Sequence, residues 1–96
     1  MIERYETLVP VDVTSSMSKG TVLEYDSTNH YYKPYSAGTP AGILMEDVSS
    51  GQDPAMAKVL FAGIVYEDEI SGTVTEDLKA ALRQVGIFIE KRETIL

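Results

Sequence analysis

The sequence predicts a mainly β domain, a β-rich α+β fold of short strands with one helix near the C-terminal end, at about 74–85. Three observations carry this reading. Short runs of β-forming residues recur along the chain, bounded by clusters of Gly, Pro, Asn, Asp and Ser. A single stretch has helical periodicity with signals at both of its ends. At 96 residues, 44% hydrophobic and 24% charged, the chain has the composition of one small folded domain.

Residues 1–18 differ in character from the rest. Val9, Val11 and Val13 alternate with Pro10 and Asp12, which suits an extended strand. Pro10 has no backbone N–H, so that strand belongs at a sheet edge or is unpaired. Thr14-Ser15-Ser16-Met17-Ser18 is polar and small and reads as a hinge. The expectation is a flexible, extended N-terminal arm over 1–18 followed by one β-rich domain over 19–96. A first core strand followed by a loop is the alternative.

Thr21-Val22-Leu23-Glu24-Tyr25 and His30-Tyr31-Tyr32-Lys33 have strand composition, and Asp26-Ser27-Thr28-Asn29 between them has turn chemistry. Residues 21–33 therefore read as a hairpin with a loop of about four residues. After a second turn over Tyr35–Pro40, Ala41-Gly42-Ile43-Leu44-Met45 has the length of a buried strand, and Gly42 marks a bulge or a close backbone approach. Ser49–Pro54 is the strongest loop. Lys58–Tyr66 is the most hydrophobic segment and reads as a strand kinked at Gly63, or as two strands meeting there. This segment and Ala41–Met45 are expected to supply the core.

Leu78, Ala81, Leu82 and Val85 fall at i, i+3, i+4 and i+7, one apolar helical stripe. Thr73 and Glu76 match a capping box, with Thr75 as a rival N-cap. Gly86 stands where a C′ residue belongs. Ile87-Phe88-Ile89 then returns to strand, with Lys91-Arg92-Glu93 solvated behind it.

Composition excludes several chemistries. The chain has no cysteine, hence no disulfide, thiolate metal site or cysteine nucleophile. Its core is thin, so oligomerisation is the expected source of extra stability. Fifteen acids against eight bases give a net charge of −7, and the bases are scattered. Nucleic-acid affinity needs clustered Lys and Arg, so direct binding to DNA or RNA is not expected. The longest uncharged run, Pro34–Met45, is twelve residues, too short to cross a bilayer, which needs about 20. Met1-Ile2-Glu3-Arg4 lacks the features of a signal peptide, and synthesis in the cytoplasm is expected.

No catalytic constellation emerges, and an enzyme is not expected. His30, the one histidine, has no carboxylate spaced to orient it and reads as a surface residue. Glu67-Asp68-Glu69 reads as a solvated acidic turn rather than a cation site, because strand neighbours point to opposite faces. Asp47 and Asp53 lack EF-hand spacing, and the glycines form no phosphate-binding pattern. No metal or cofactor is expected. Tyr25, Tyr31, Tyr32 and Tyr35 form an aromatic cluster that suits either a carbohydrate or protein surface, or the cover of an edge strand.

Lys19-Gly20-Thr21-Val22-Leu23, the hairpin, Ala41-Gly42-Ile43-Leu44, Val59–Val65, the helix at 76–85 and Gly86-Ile87 follow in an order and spacing that resembles the lambda-like bacteriophage head decoration proteins. The likeness covers about residues 19–90 and lies in element order, not in a catalytic signature. It implies a compact, small barrel-like (β-tulip-like) subunit that forms a homotrimer. Such trimers sit on the outside of the expanded capsid, at local threefold positions, bound to the phage major capsid protein. There they hold the head against the pressure of packaged DNA, which implies virion localisation. The family's N-terminal arm is mobile in the free protein and orders on the shell by strand pairing. Residues 1–18 match that arm, although it is shorter here and its Thr/Ser content lies late. The implied capsid contacts are Ile2, Tyr5, Leu8, Val9, Val11 and Val13; candidate subunit contacts are Tyr35, Pro40, Ser49 and Pro54. Rival readings are another virion module, such as a tail or fibre-base protein, and a small glycan- or peptide-binding β domain.

Overall fold

One long strand organises the molecule. The computed structural model describes residues 4–91, and Met56–Tyr66 runs through it as an eleven-residue strand, the fifth of six among the described residues. The strands are β1 (Tyr5–Pro10), β2 (Val22–Asp26), β3 (Tyr31–Pro34), β4 (Pro40–Leu44), β5 (Met56–Tyr66) and β6 (Ile87–Glu90), with one helix, α1 (Glu76–Arg83). They form a sheet in the order β1-β5-β4-β2-β3, antiparallel throughout, with β6 added parallel to the second half of β5. The sequence leaves open one strand or two around Gly63. The chain makes one continuous strand there, with Gly63 at φ 122°, a conformation other residues rarely adopt.

Both faces of this sheet are buried at its centre. Adjacent strand residues point to opposite sides, and Val22/Leu23, Ile43/Leu44 and Leu60/Val59 each split between two apolar clusters. The first cluster contains Val22, Ile43 and Leu60 with Val65, Ile70, Leu82, Ile87 and Ile89, and lies under α1 and β6. The second contains Leu23, Leu44 and Val59 with Val11, Met17, Val48 and Ala57. The two edges of the sheet meet where Val11 bridges Tyr32 and the Asp12 N–H donates to the Tyr32 carbonyl at 2.8 Å. The sheet is not closed, so barrel-like describes it only loosely.

The β2–β3 hairpin has the four-residue loop its turn residues imply, over 27–30. The Asp26 carboxylate accepts from the backbone N–H of Thr28 and Asn29 and from the Asn29 side-chain amide, at 2.9–3.0 Å. These bonds, the Asn29 side chain first, hold its carboxyl down to about 2. A depressed carboxyl stabilises the fold above its unfolded value and loses that contribution as pH falls through the folded one. The Asp26 carboxyl should thus titrate by NMR with a midpoint near 2, and the Thr28 and Asn29 amides should report the same transition. A midpoint at the ordinary value of 3.8 would mean that the turn is open.

Gly42 makes the close approach its position implies. Leu23 faces Gly42 while Glu24 faces Pro40, so Ala41 is an inserted bulge residue. A Cβ at Gly42 would lie 2.6 Å from Val59 Cγ1 and 3.4 Å from the Phe61 ring. The missing side chain is what lets β4 lie this close to Val59 of β5.

Helix α1 is shorter than the stripe implies, because Thr75 and not Thr73 caps it: the Thr75 hydroxyl accepts from the Leu78 N–H at 3.1 Å. Val74 lies before the cap and packs on the first cluster. At the other end Val85 is exposed, and Gly86 turns the chain at φ 95° into β6. Leu82 is fully buried between α1 and the sheet. Leu82→Ala should cost about 2–5 kcal/mol by urea denaturation, the range for such a truncation. An unchanged midpoint would show that α1 is not docked.

Candidate interaction surface

Five of the six arm residues lie within the described chain; Ile2 lies outside it. Tyr5, Leu8 and Val9 are on β1, which pairs with β5 from Tyr5↔Ala62 to Pro10↔Met56. This corrects the expectation of a flexible arm over 1–18: from Tyr5 onward the segment is part of the sheet, and Val11 is 1% exposed in the second cluster. Val9 and Val13 pack partly against that cluster. The period-two pattern is thus a core-strand signal, and Val9, Val11 and Val13 face inward as a set. The Pro10 argument for an edge agrees with the structure, since β1 ends the sheet.

The expected hinge is anchored as well. Met17, 7% exposed, exchanges two backbone hydrogen bonds with Val48, at 2.9 and 2.8 Å. Nothing in the Ser-rich run marks it beyond the one apolar side chain. Asp12 accepts from the Thr14 N–H and hydroxyl, which rigidifies the intervening turn.

What β1 leaves outside is Leu8, 60% exposed, and Tyr5, 59% exposed. Just before them Arg4 donates from Nε to the Ile64 carbonyl at 2.9 Å and pairs with Glu69 at 2.7 Å. The strand's start is therefore tied to the far half of β5 by a charged clasp.

The four candidate subunit contacts do not converge. Pro40 is buried at the start of β4, paired with Glu24, and so offers no free surface. That is a correction: a proline in a turn region reads as a loop, but this one begins a central strand. Tyr35, Ser49 and Pro54 are exposed. The loop after Tyr35 is held by the Glu24 carboxylate, which accepts from the Ser36 and Gly38 N–H groups; the Ser36 bond, the larger cause, lowers its pKa. The Ser49–Pro54 loop is held elsewhere, by the Gly51 N–H to the Val13 carbonyl and the Ser50 hydroxyl to the Thr14 carbonyl.

The tyrosine cluster divides. Tyr25 and Tyr32 meet across the hairpin at 5.0 Å, Tyr32 meets Phe61 edge-on at 5.3 Å, and Phe61 meets Tyr5 at 6.5 Å. This band joins strands from both ends of the sheet, and sequence reasoning missed Phe61 and Tyr5 as its members. Burial raises the pKa of Tyr32, and burial with the Asp12 charge raises that of Tyr31. Tyr35 stands apart, lining a groove of about 380 Å³ between β2, the end of β3 and the entry to α1.

His30 is exposed, its Nδ1 3.2 Å from the Tyr25 hydroxyl. The acidic turn Glu67–Glu69 is less solvated than its composition implies. Glu67 pairs with Lys79 at 2.7 Å, which raises the Lys79 pKa, and Glu69 accepts from Arg4 and from the Tyr66 N–H. No group of three or more His, Cys, Asp or Glu side chains is gathered for a metal among the described residues, and none of their helices is long and apolar enough to cross a membrane. No protein-family model and no curated protein matches the chain.

Proposed function

We propose that this protein is a bacteriophage head decoration subunit that binds the outside of an expanded capsid as a homotrimer and stiffens it against packaged DNA. The observation that carries the reading is β1. It is the terminal strand of the sheet, its outer edge is paired with no other strand over Tyr5–Pro10 among the described residues, the chain bridging to Tyr32 at Val11, and beside that edge Leu8 and Tyr5 are exposed. Such a strand is suited to main-chain pairing with an edge strand of a shell protein, with alternate side chains entering pockets. The element order of the family resemblance supports the same reading: hairpin, bulged Ala-Gly-Ile-Leu strand, long strand kinked at glycine, and helix turning through Gly86 into Ile87. A net charge of −7 suits a protein that must stay off the genome.

Burying Tyr5 and Leu8 contributes about 1.5–3 kcal/mol each. That is weak for one protomer, but three linked protomers raise the effective concentration of each contact. Light scattering should give three times the monomer mass, and a monomer that persists at high concentration would overturn the trimer. The double variant Tyr5→Asp, Leu8→Asp should keep the wild-type melting temperature while losing co-sedimentation with expanded cognate capsids. Full binding by that variant would sink the capsid-contact assignment.

A further inference from the structure

The groove beside Tyr35 has the size of a small-ligand site, about 380 Å³, and a lining of apolar and hydroxyl groups with a single carboxylate. Val22, Pro34 and Leu78 supply apolar surface. Thr21, Ser71, Thr73 and Thr75 carry hydroxyls, Tyr35 adds a ring with a phenol, and Asp77 is the only ionisable group besides that phenol. No Lys or Arg lines the groove. We propose that it binds a neutral saccharide, one pyranose ring or the end of a glycan, a reading independent of the capsid role.

The hydrogen bonds already made decide what is left for a ligand. The Thr21 hydroxyl donates to the Ser18 carbonyl at 2.7 Å and keeps its lone pairs as acceptors. The Thr75 hydroxyl accepts from the Leu78 N–H and keeps its own proton to donate. Asp77, a carboxylate, only accepts. Donors and acceptors therefore both line one opening, and a sugar hydroxyl, which does both, matches them. The apolar C–H face of a pyranose suits the Tyr35 ring, which is 36% exposed.

Other ligand classes fit less well. An anion would meet Asp77 in a protein of net charge −7, and Glu76 and Asp77 already occupy the positive end of α1. A wholly apolar ligand would strip water from the hydroxyls without replacing their bonds.

The test is a titration of the full chain followed by amide chemical shifts. The probes are the methyl glycosides of glucose, galactose, mannose and N-acetylglucosamine, with inorganic phosphate, glucuronate and choline as comparison arms. At least one neutral glycoside should give saturable shifts confined to residues around Thr21, Tyr35 and Thr73–Leu78, with an affinity on the order of millimolar. Tyr35→Ala should weaken it about tenfold and Asp77→Asn about fivefold, while Tyr35→Phe should stay within about twofold. Both positions carry surface side chains, and an unchanged melting temperature certifies each of the three variants. The proposal fails if no neutral glycoside gives a saturable shift up to about 50 mM. It fails equally if phosphate, glucuronate or choline binds there as well as the sugars, or if Tyr35→Ala and Asp77→Asn bind like wild type.

Discussion

Deleting residues 2–13 should unfold the domain or lower its stability by several kcal/mol. The deletion removes β1, and with it the fully buried Val11 and the half-buried Val9 and Val13. Burying Val11 contributes about 1.5–3 kcal/mol, and the other two valines together about as much again. The sum of about 3–6 kcal/mol is a large part of the 5–15 typical of a whole domain. The loss also strips the β1 edge of β5, where six residues pair. Thermal melting by circular dichroism should show the transition fall sharply or vanish. A melting temperature equal to that of the full chain would mean that the strand is not docked and that a free arm is the better description. The Tyr5→Asp, Leu8→Asp variant separates the two roles of this strand, since it alters only the exposed side chains.

Gly20→Val should be nearly as severe, although the position is in a turn. Gly20 sits at φ 96°, its N–H donates to the Leu44 carbonyl at 2.8 Å, and its carbonyl accepts from the Ser71 N–H at 2.9 Å. A Cβ there would press into the Glu69 carbonyl and lie 2.9 Å from the Ser71 nitrogen. Holding a β-branched residue in that backbone region costs about 1–3 kcal/mol. Displacing backbone on a packed side costs about as much again. The two hydrogen bonds together contribute about 1–3 kcal/mol. Urea denaturation should thus register a loss of about 3–9 kcal/mol, summed from these contributions. A loss under about 1 kcal/mol, the scale of an ordinary surface change, would show that the 69–71 segment does not pack on Gly20.

What the sequence made legible was local. The β2–β3 hairpin could be placed because Asp26 and Asn29 bond within their own turn, and the helix because its cap, stripe and terminal glycine are neighbours in the chain. The helix is two residues shorter at each end than the 74–85 that the sequence implies. Thr73 and Thr75 present the same chemistry, and in the fold Thr75 caps the helix while Val74 packs on the first cluster. The role of residues 5–17 was hidden for another reason. The partners of Val9 and Met17 are Ala57 and Val48, dozens of positions away, and an alternating run reads identically whether it is docked or free. For the same reason Tyr5 and Leu8 could be named as contact residues while Val11 and Val13, on the same pattern, face the core. The groove was illegible because it joins β2, the end of β3 and the entry to α1, which only the fold brings together.

The pairing of β1 with β5 also sets a schedule for the chain as it is made. Pro10 waits 46 positions for Met56, and Tyr5 waits 57 for Ala62. At synthesis rates of about 5–20 residues per second, the first strand spends roughly 2–11 s outside the ribosome before its partner exists. Through that interval Tyr5, Leu8, Val9, Val11 and Val13 have nothing to pack on, the condition in which nascent strands adhere to one another. Glu6, Pro10 and Asp12 interrupt the same stretch, as the gatekeepers of sticky segments do. β5 then receives β1 and β4 along one half and, last of all, β6 along the other, so folding cannot finish before Ile87–Glu90 has emerged. Replacing Glu6 by a neutral residue would accordingly burden yield and solubility during expression before it changed the stability of the finished domain.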